Sequence, residues 1–188
     1  MTPRATGRFV VVAIAGTLAL PSLTGTAGAV DAACKPVADS LAKLAKTPFH
    51  MYITESAATD AALHGGQPRS SEEISTVTAL YVYVRGQWRR SPVSLQEATA
   101  EKDESLKAKA MSCRHVRDEL VDGDMSALYQ VNEQIDDSIT SDSQVWISIA
   151  KGLPNKQEQS VDVGGALGKS HKVMRFDYSH VMPPPGVK

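Results

Sequence analysis

The sequence predicts an α+β domain in which an antiparallel β-meander has one face covered by two helices. Three observations predict it. Apolar residues alternate with a period of two through much of the chain after residue 48. All nine aromatic residues after position 30 fall on these segments, where a pleated surface suits them. Most neighbouring segments are separated by short turn signals, and two stretches carry helical spacing that can roof one face.

The first 29 residues stand apart from this domain, because they have the three parts of a secretory signal. Arg4 and Arg8 precede the apolar run Phe9 to Leu20, which Pro21 breaks, and Ala27-Gly28-Ala29 is a small-residue cleavage pattern that leaves Val30 first. The run is shorter than the roughly 20 residues that span a bilayer, although an uncleaved anchor stays open as the alternative. The expected domain is 30–182, followed by a Pro-rich tail at 183–188. No later stretch is apolar enough to cross a membrane, so the expected location is the periplasm or the exterior.

Charge removes further classes. The whole chain has 20 basic and 21 acidic residues, and losing Arg4 and Arg8 leaves 18 against 21, a net charge of −3. A mildly acidic domain has no basic footprint for nucleic acid or an anionic membrane. In an oxidising compartment Cys34 and Cys113 are expected to pair, closing a loop across 79 positions. They are too far apart in sequence for a C-x-x-C redox pair. Lipidation of Cys34 is the other fate to weigh, and Asp31, where a lipoprotein signal wants a Leu-like residue, argues against it.

The elements follow in order. Val37, Leu41, Leu44 and Ala45 make one helical stripe over Lys35 to Lys46, and Thr47-Pro48 ends it. Phe49, Met51 and Ile53 then alternate with His50, Tyr52 and Thr54 as a strand. A polar connection from Ala57 to Glu73 leads to Ile74–Arg85, read as one strand with Ile74, Leu80, Val82 and Val84 on one face and Val77, Ala79, Tyr81 and Tyr83 on the other. Apolar on both sides, that strand must be covered twice. Gly86 turns the chain into a short strand around Trp88. Ser94 and Glu97 form a capping box for a largely polar second helix reaching about Met111.

Beyond Cys113 a strand runs through Val121, and Asp122-Gly123 marks a hairpin into Met125, Ala127, Tyr129 and Val131. Val145, Ile147 and Ile149 alternate around Trp146, Gly152-Leu153-Pro154 turns the chain, and a strand runs from Lys156 to Val163. The Gly-rich GGALGKS leads to a last strand with Met174, Phe176, Tyr178 and His180 on one face, and Pro183-Pro184-Pro185 cannot pair as a central strand.

The strand-turn-strand VWISIAKGLPNKQEQ, through Trp146, Ile147, Gly152, Leu153 and Pro154, resembles a hairpin of the LolA/LolB-like periplasmic lipoprotein-carrier fold. The order of signal, N-terminal helix and meander is similar to that family as well. The resemblance implies a curved, half-barrel-like sheet wrapped around helices, with a cavity for acyl chains.

The residues themselves favour no chemistry of bond breaking. GGALGKS fails as a phosphate loop, since Gly164 lies four positions before Gly168 where five are needed and a strand follows. The five histidines show no metal-ligand spacing, leaving only a site assembled in space from His115 and His180. Asp122, Asp124, Asp136 and Asp137 lack a calcium-loop frame and read as turn residues. There is no G-x-S-x-G elbow and no free nucleophilic cysteine, so neither an enzyme nor a cofactor is expected. The expectation is an exported binding protein that holds a hydrophobic small molecule or acyl chain against Tyr81, Tyr83, Tyr129, Trp146, Phe176 and Tyr178. The alternative is an envelope protein with a filled core that binds another protein.

Overall fold

The computed structural model describes residues 32–57, 67–76, 78–93, 111–134, 139–162 and 168–187. The expected signal segment, the second helix except for Met111, and most of GGALGKS lie outside them. A 3-10 turn at Ala32–Cys34 leads into helix α1, Lys35–Leu44. Nine strands follow: β1 Phe49–Ala57, β2 Arg69–Ser75, β3 Leu80–Val84, β4 Gln87–Arg90, β5 Met111–Val121, β6 Asp124–Gln134, β7 Thr140–Ser148, β8 Pro154–Asp162 and β9 Lys169–Asp177.

All nine form one open, curved antiparallel sheet in the order β4-β3-β2-β1-β9-β8-β7-β6-β5. The meander is therefore built as two runs, and the first and last strands meet in the middle. Met51 lies opposite Phe176 and Ile53 opposite Met174 across that central pair. The edge strands are β4 and β5, which are consecutive in the sequence.

Helix α1 buries Val37, Ser40 and Leu44; Val37 and Leu44 belong to the expected stripe, but Leu41 of that stripe is 37% exposed and Ser40 takes the buried position beside it. Its N-terminal end packs with Cys34, Cys113, Val131, Val145 and Ile147, and its C-terminal end with Phe49, Met51, Ile53 and Leu153. Cys34 is bonded to Cys113, with Cα atoms 4.9 Å apart, so the start of α1 is tied to edge strand β5. The other end is held where Lys43 donates to the carbonyl of Lys151 in the β7–β8 turn. The disulfide expectation holds, and it removes Cys34 as a lipid attachment point.

Two expectations about the strands are corrected. The segment Ile74–Arg85 is not one strand, and β2 already begins at Arg69, inside the expected polar connection. Hydrogen bonds between Thr76 and Ala79 mark where it divides: the Thr76 hydroxyl accepts from the Ala79 N–H at 3.0 Å, and the Thr76 N–H donates to the Ala79 carbonyl at 2.8 Å. Folding back there puts Ile74 opposite Tyr81, so it shares a face with Tyr81 and not with Leu80 and Val82. The last strand ends at Asp177, and His180 sits in a bend at φ +52°, off the strand face assigned to it. The Asp122-Gly123 hairpin is as expected, with φ of +50° and +85° at its two central residues, the left-handed pair that a two-residue turn needs.

Candidate functional site

The helix-covered face is the apolar one. Phe49, Met51 and Ile53 of β1 stand beside Met174 and Phe176 of β9 on this face, and Tyr178 extends the row beyond the strand. Phe176 lies edge-on to Phe49 at 5.6 Å between centroids and stacks with Tyr178 at 6.4 Å. Met174, Phe176 and Tyr178, with Met111 and Tyr129 at the other end of α1, stay half-buried at the margins of the two clusters.

The helix cannot roof this face. Ten residues rise about 15 Å along a helix axis, whereas nine strands at about 4.8 Å spacing span roughly 38 Å. Two polar groups are set into the apolar surface. The Ser40 hydroxyl on the buried side of α1 has no hydrogen-bond partner among the described residues. Glu73, opposite Met51 in the β1–β2 ladder, has its carboxyl pushed above the usual range by burial, against the opposing pull of Lys172.

Across β5 to β8 the opposite face is a polar lattice. The Trp146 indole donates to the Glu119 carboxylate, and the Lys156 ammonium sits 4.4 Å from the ring centroid. Arg117 first, then Trp146, hold the Glu119 carboxyl below its usual range. Below this pair Asn155 donates to the buried Ser126 hydroxyl at 2.8 Å, and Ser148 donates to Asp124 at 2.9 Å. Lys151 pairs with Asp124 at 3.0 Å and, ahead of Ser148, depresses its carboxyl.

A cleft of about 570 Å³ opens where this lattice meets the end of β9. Tyr52, Phe176 and Tyr178 give it aromatic walls, and Asp122, Lys151 and Arg175 line its charged side. Arg175 donates to Asp122 of the β5–β6 turn at 2.8 Å, across the ends of β7 and β8. Asp177 accepts from the Ser179 N–H and hydroxyl, which lower its carboxyl. The Tyr178 hydroxyl donates to the Pro154 carbonyl, and burial raises its pKa.

The six expected wall residues thus divide between two surfaces. Phe176, Tyr178 and Tyr129 belong to the helix-covered clusters. Trp146 lies in the polar lattice, Tyr81 in a third cluster with Ile74 and Ala79, and Tyr83 against Trp88 at 5.3 Å. His115 is engaged by Asp118 at 2.8 Å and lies edge-on to Tyr129. Among the described residues no group of three or more His, Cys, Asp or Glu is placed to hold a metal ion, and no helix is long and apolar enough to cross a membrane. Sequence reasoning missed Glu73 and Arg175, and it read Asp124 as a turn residue without its partners Ser148 and Lys151. The alternation of Phe49, Met51 and Ile53 was visible in the sequence, but not that Phe176 and Met174 stand beside them.

No protein-family model matches the chain, and no curated protein matches it. Solved structures are similar in architecture at low identity. The crystal structure of MucB is similar at 15% identity and a TM-score of 0.48, covering 86% of this chain, which spans 63% of MucB. LprF from Mycobacterium bovis is similar at 9% identity and a TM-score of 0.42, over 81% of this chain and 96% of that one. A LolA superfamily protein from Nitrosomonas europaea is similar at 11% identity and a TM-score of 0.30, over 77% and 91%.

Proposed function

We propose that the chain is an exported, non-enzymatic binding protein that holds an amphiphile, a lipid or the acyl chain of a lipoprotein, against its helix-covered face. One observation carries the reading. Phe176 and Tyr178 belong at once to the apolar cluster under α1 and to the lining of the charged cleft. A ligand that follows this surface passes from apolar side chains to Arg175, Lys151 and Asp122, which is the chemistry of a chain joined to a polar head. Affinity comes from apolar burial at about 25 cal/mol per Å², and the Ser40 hydroxyl, without a partner among the described residues, and Glu73 are polar points along the path. The signal-like N-terminus and the Cys34–Cys113 bond support an oxidising location outside the cytoplasm.

The test is native mass spectrometry with solvent extraction on protein purified from its own envelope without detergent. A co-purifying mass that extracts as lipid is expected. Phe176→Asp should abolish it, and Tyr83→Asp, on the other face, should leave it. A bare polypeptide in every preparation would overturn the reading. That result favours a protein partner instead, for which Leu120, Met125 and Ile149, 67%, 49% and 56% exposed at adjoining strand ends, are the motivating surface.

A further inference from the structure

The charges that line the cleft at the end of β9 do not cancel. Asp122, Asp124 and Asp177 stand there against Lys151 and Arg175. Both cations are neutralised within the lining itself, because Arg175 donates to Asp122 at 2.8 Å and Lys151 pairs with Asp124 at 3.0 Å. Asp177 is the surplus charge. It accepts from the Ser179 N–H at 2.8 Å and the Ser179 hydroxyl at 2.6 Å, uncharged donors that keep its carboxyl ionised. His50 and His180 act on it least, and the His50 Nε2 is already engaged by Glu72 at 2.8 Å.

The walls beside that charge are aromatic, with their hydroxyls occupied. Tyr178 donates to the Pro154 carbonyl, the Tyr52 hydroxyl lies 3.3 Å from the His50 Nδ1, and Phe176 has no polar group. Tyr52 stacks on His50 at 4.3 Å and is still 45% exposed. These rings therefore offer a ligand their π surface, whose negative face attracts a cation and repels an anion. Asn155, the other side-chain amide of the lining, donates to Ser126 at 2.8 Å. An anion entering here has to break one of the two ion pairs to find a positive partner, whereas a cation meets a free carboxylate charge and ring faces with every pair intact.

We infer that the cleft binds an organic ammonium group, with Asp177 as its counter-ion and Tyr52, Phe176 and Tyr178 as its walls. A volume of about 570 Å³ holds such a group together with the first part of an attached chain. The inference deepens the amphiphile reading: it rests on that reading for the chain and adds the sign of the head. A free amine enters by the same chemistry.

Calorimetric titration of the purified chain with four probes, each below its micelle concentration, separates these cases. The probes are octyltrimethylammonium, octyl sulfate, octyl glucoside and free choline. Octyltrimethylammonium should bind at least about tenfold tighter than octyl sulfate. Asp177→Asn, which keeps an acceptor for Ser179, should remove most of that preference and leave octyl glucoside unchanged. Tyr52→Leu should weaken the ammonium probe severalfold, and Tyr52→Phe, which keeps the ring, should not. Equal binding of the three octyl probes, or a preference for the sulfate, overturns the inference and leaves the amphiphile reading standing. Choline binding that depends on Asp177, with no uptake of octyl glucoside, keeps the ammonium site and overturns the amphiphile reading. Silence from all four probes overturns both, as does a loss in Asp177→Asn that is equal for every probe while near-UV dichroism stays native, since Asp177 would then not read charge.

Discussion

Replacing both Cys34 and Cys113 by alanine should lower stability by an amount that the chain separation sets. The bond closes a loop across 79 positions, for which loop-closure entropy gives about 4.5 kcal/mol at 25 °C. Alanine is the right replacement. Cys34 is fully buried and Cys113 is 8% exposed, so serine would add about 1–3 kcal/mol for each hydroxyl left without a partner. With a urea dependence of about 2 kcal/mol per M, the unfolding midpoint should fall by roughly 2 M. Tryptophan fluorescence and far-ultraviolet dichroism should report one common transition, and the reduced parent should follow the alanine pair. A loss below about 1 kcal/mol would refute the reasoning, because the bridge would then not restrict the unfolded chain. A steeper urea dependence in the variant is the accompanying sign, since an uncrosslinked chain exposes more surface.

Phe49 is 1% exposed between α1 and β9, so Phe49→Ala should cost about 3–5 kcal/mol in the same melts, and a cost under about 1 kcal/mol would contradict the packing. Because burial raises the Glu73 carboxyl, the folded state binds that proton more tightly than the unfolded chain, and the penalty appears as pH rises through the folded pKa. Glu73→Gln should therefore raise the melting temperature at neutral pH and lose that advantage below the unbound value of 4.5; a lower melting temperature at neutral pH would reverse the sign. Gly123→Ala, at φ +85°, should cost about 1–2 kcal/mol in urea, and an unchanged midpoint would show that the turn tolerates the strain.

The local parts of this fold were legible because their signals are local. Val37 and Leu44 of the helical stripe, the Asp122-Gly123 turn and the Gly152-Leu153-Pro154 turn each announce themselves within a few residues, whereas Leu41, read into the same stripe, is exposed. The division between Thr76 and Ala79 gave no such signal, because Thr76 bonds Ala79 through a side-chain hydroxyl where glycine or proline would have been visible. Pairing of β1 with β9 was hidden for another reason. Alternation shows which residues of one strand share a face, but not which strands stand side by side. This is why Phe176 and Tyr178 were grouped with Trp146 and Tyr81, which turned out to lie across the sheet. Buried Ser126, Ser148 and Asn155 carry no periodic signal at all, and only the assembled lattice explains them.

The central pairing of β1 with β9 also sets a timetable. Each other strand pair in the sheet joins chain neighbours and can zip as soon as both partners exist, but Met51 and Ile53 wait for Phe176 and Met174, more than a hundred positions later. Until synthesis reaches Asp177, the earliest strand has one unpaired edge and a row of apolar side chains with nothing beside them. During that wait the half-made sheet is exposed to clumping with its own copies. The same arrangement makes completion all-or-none: the last strand to emerge is the one that joins the two runs into a single sheet.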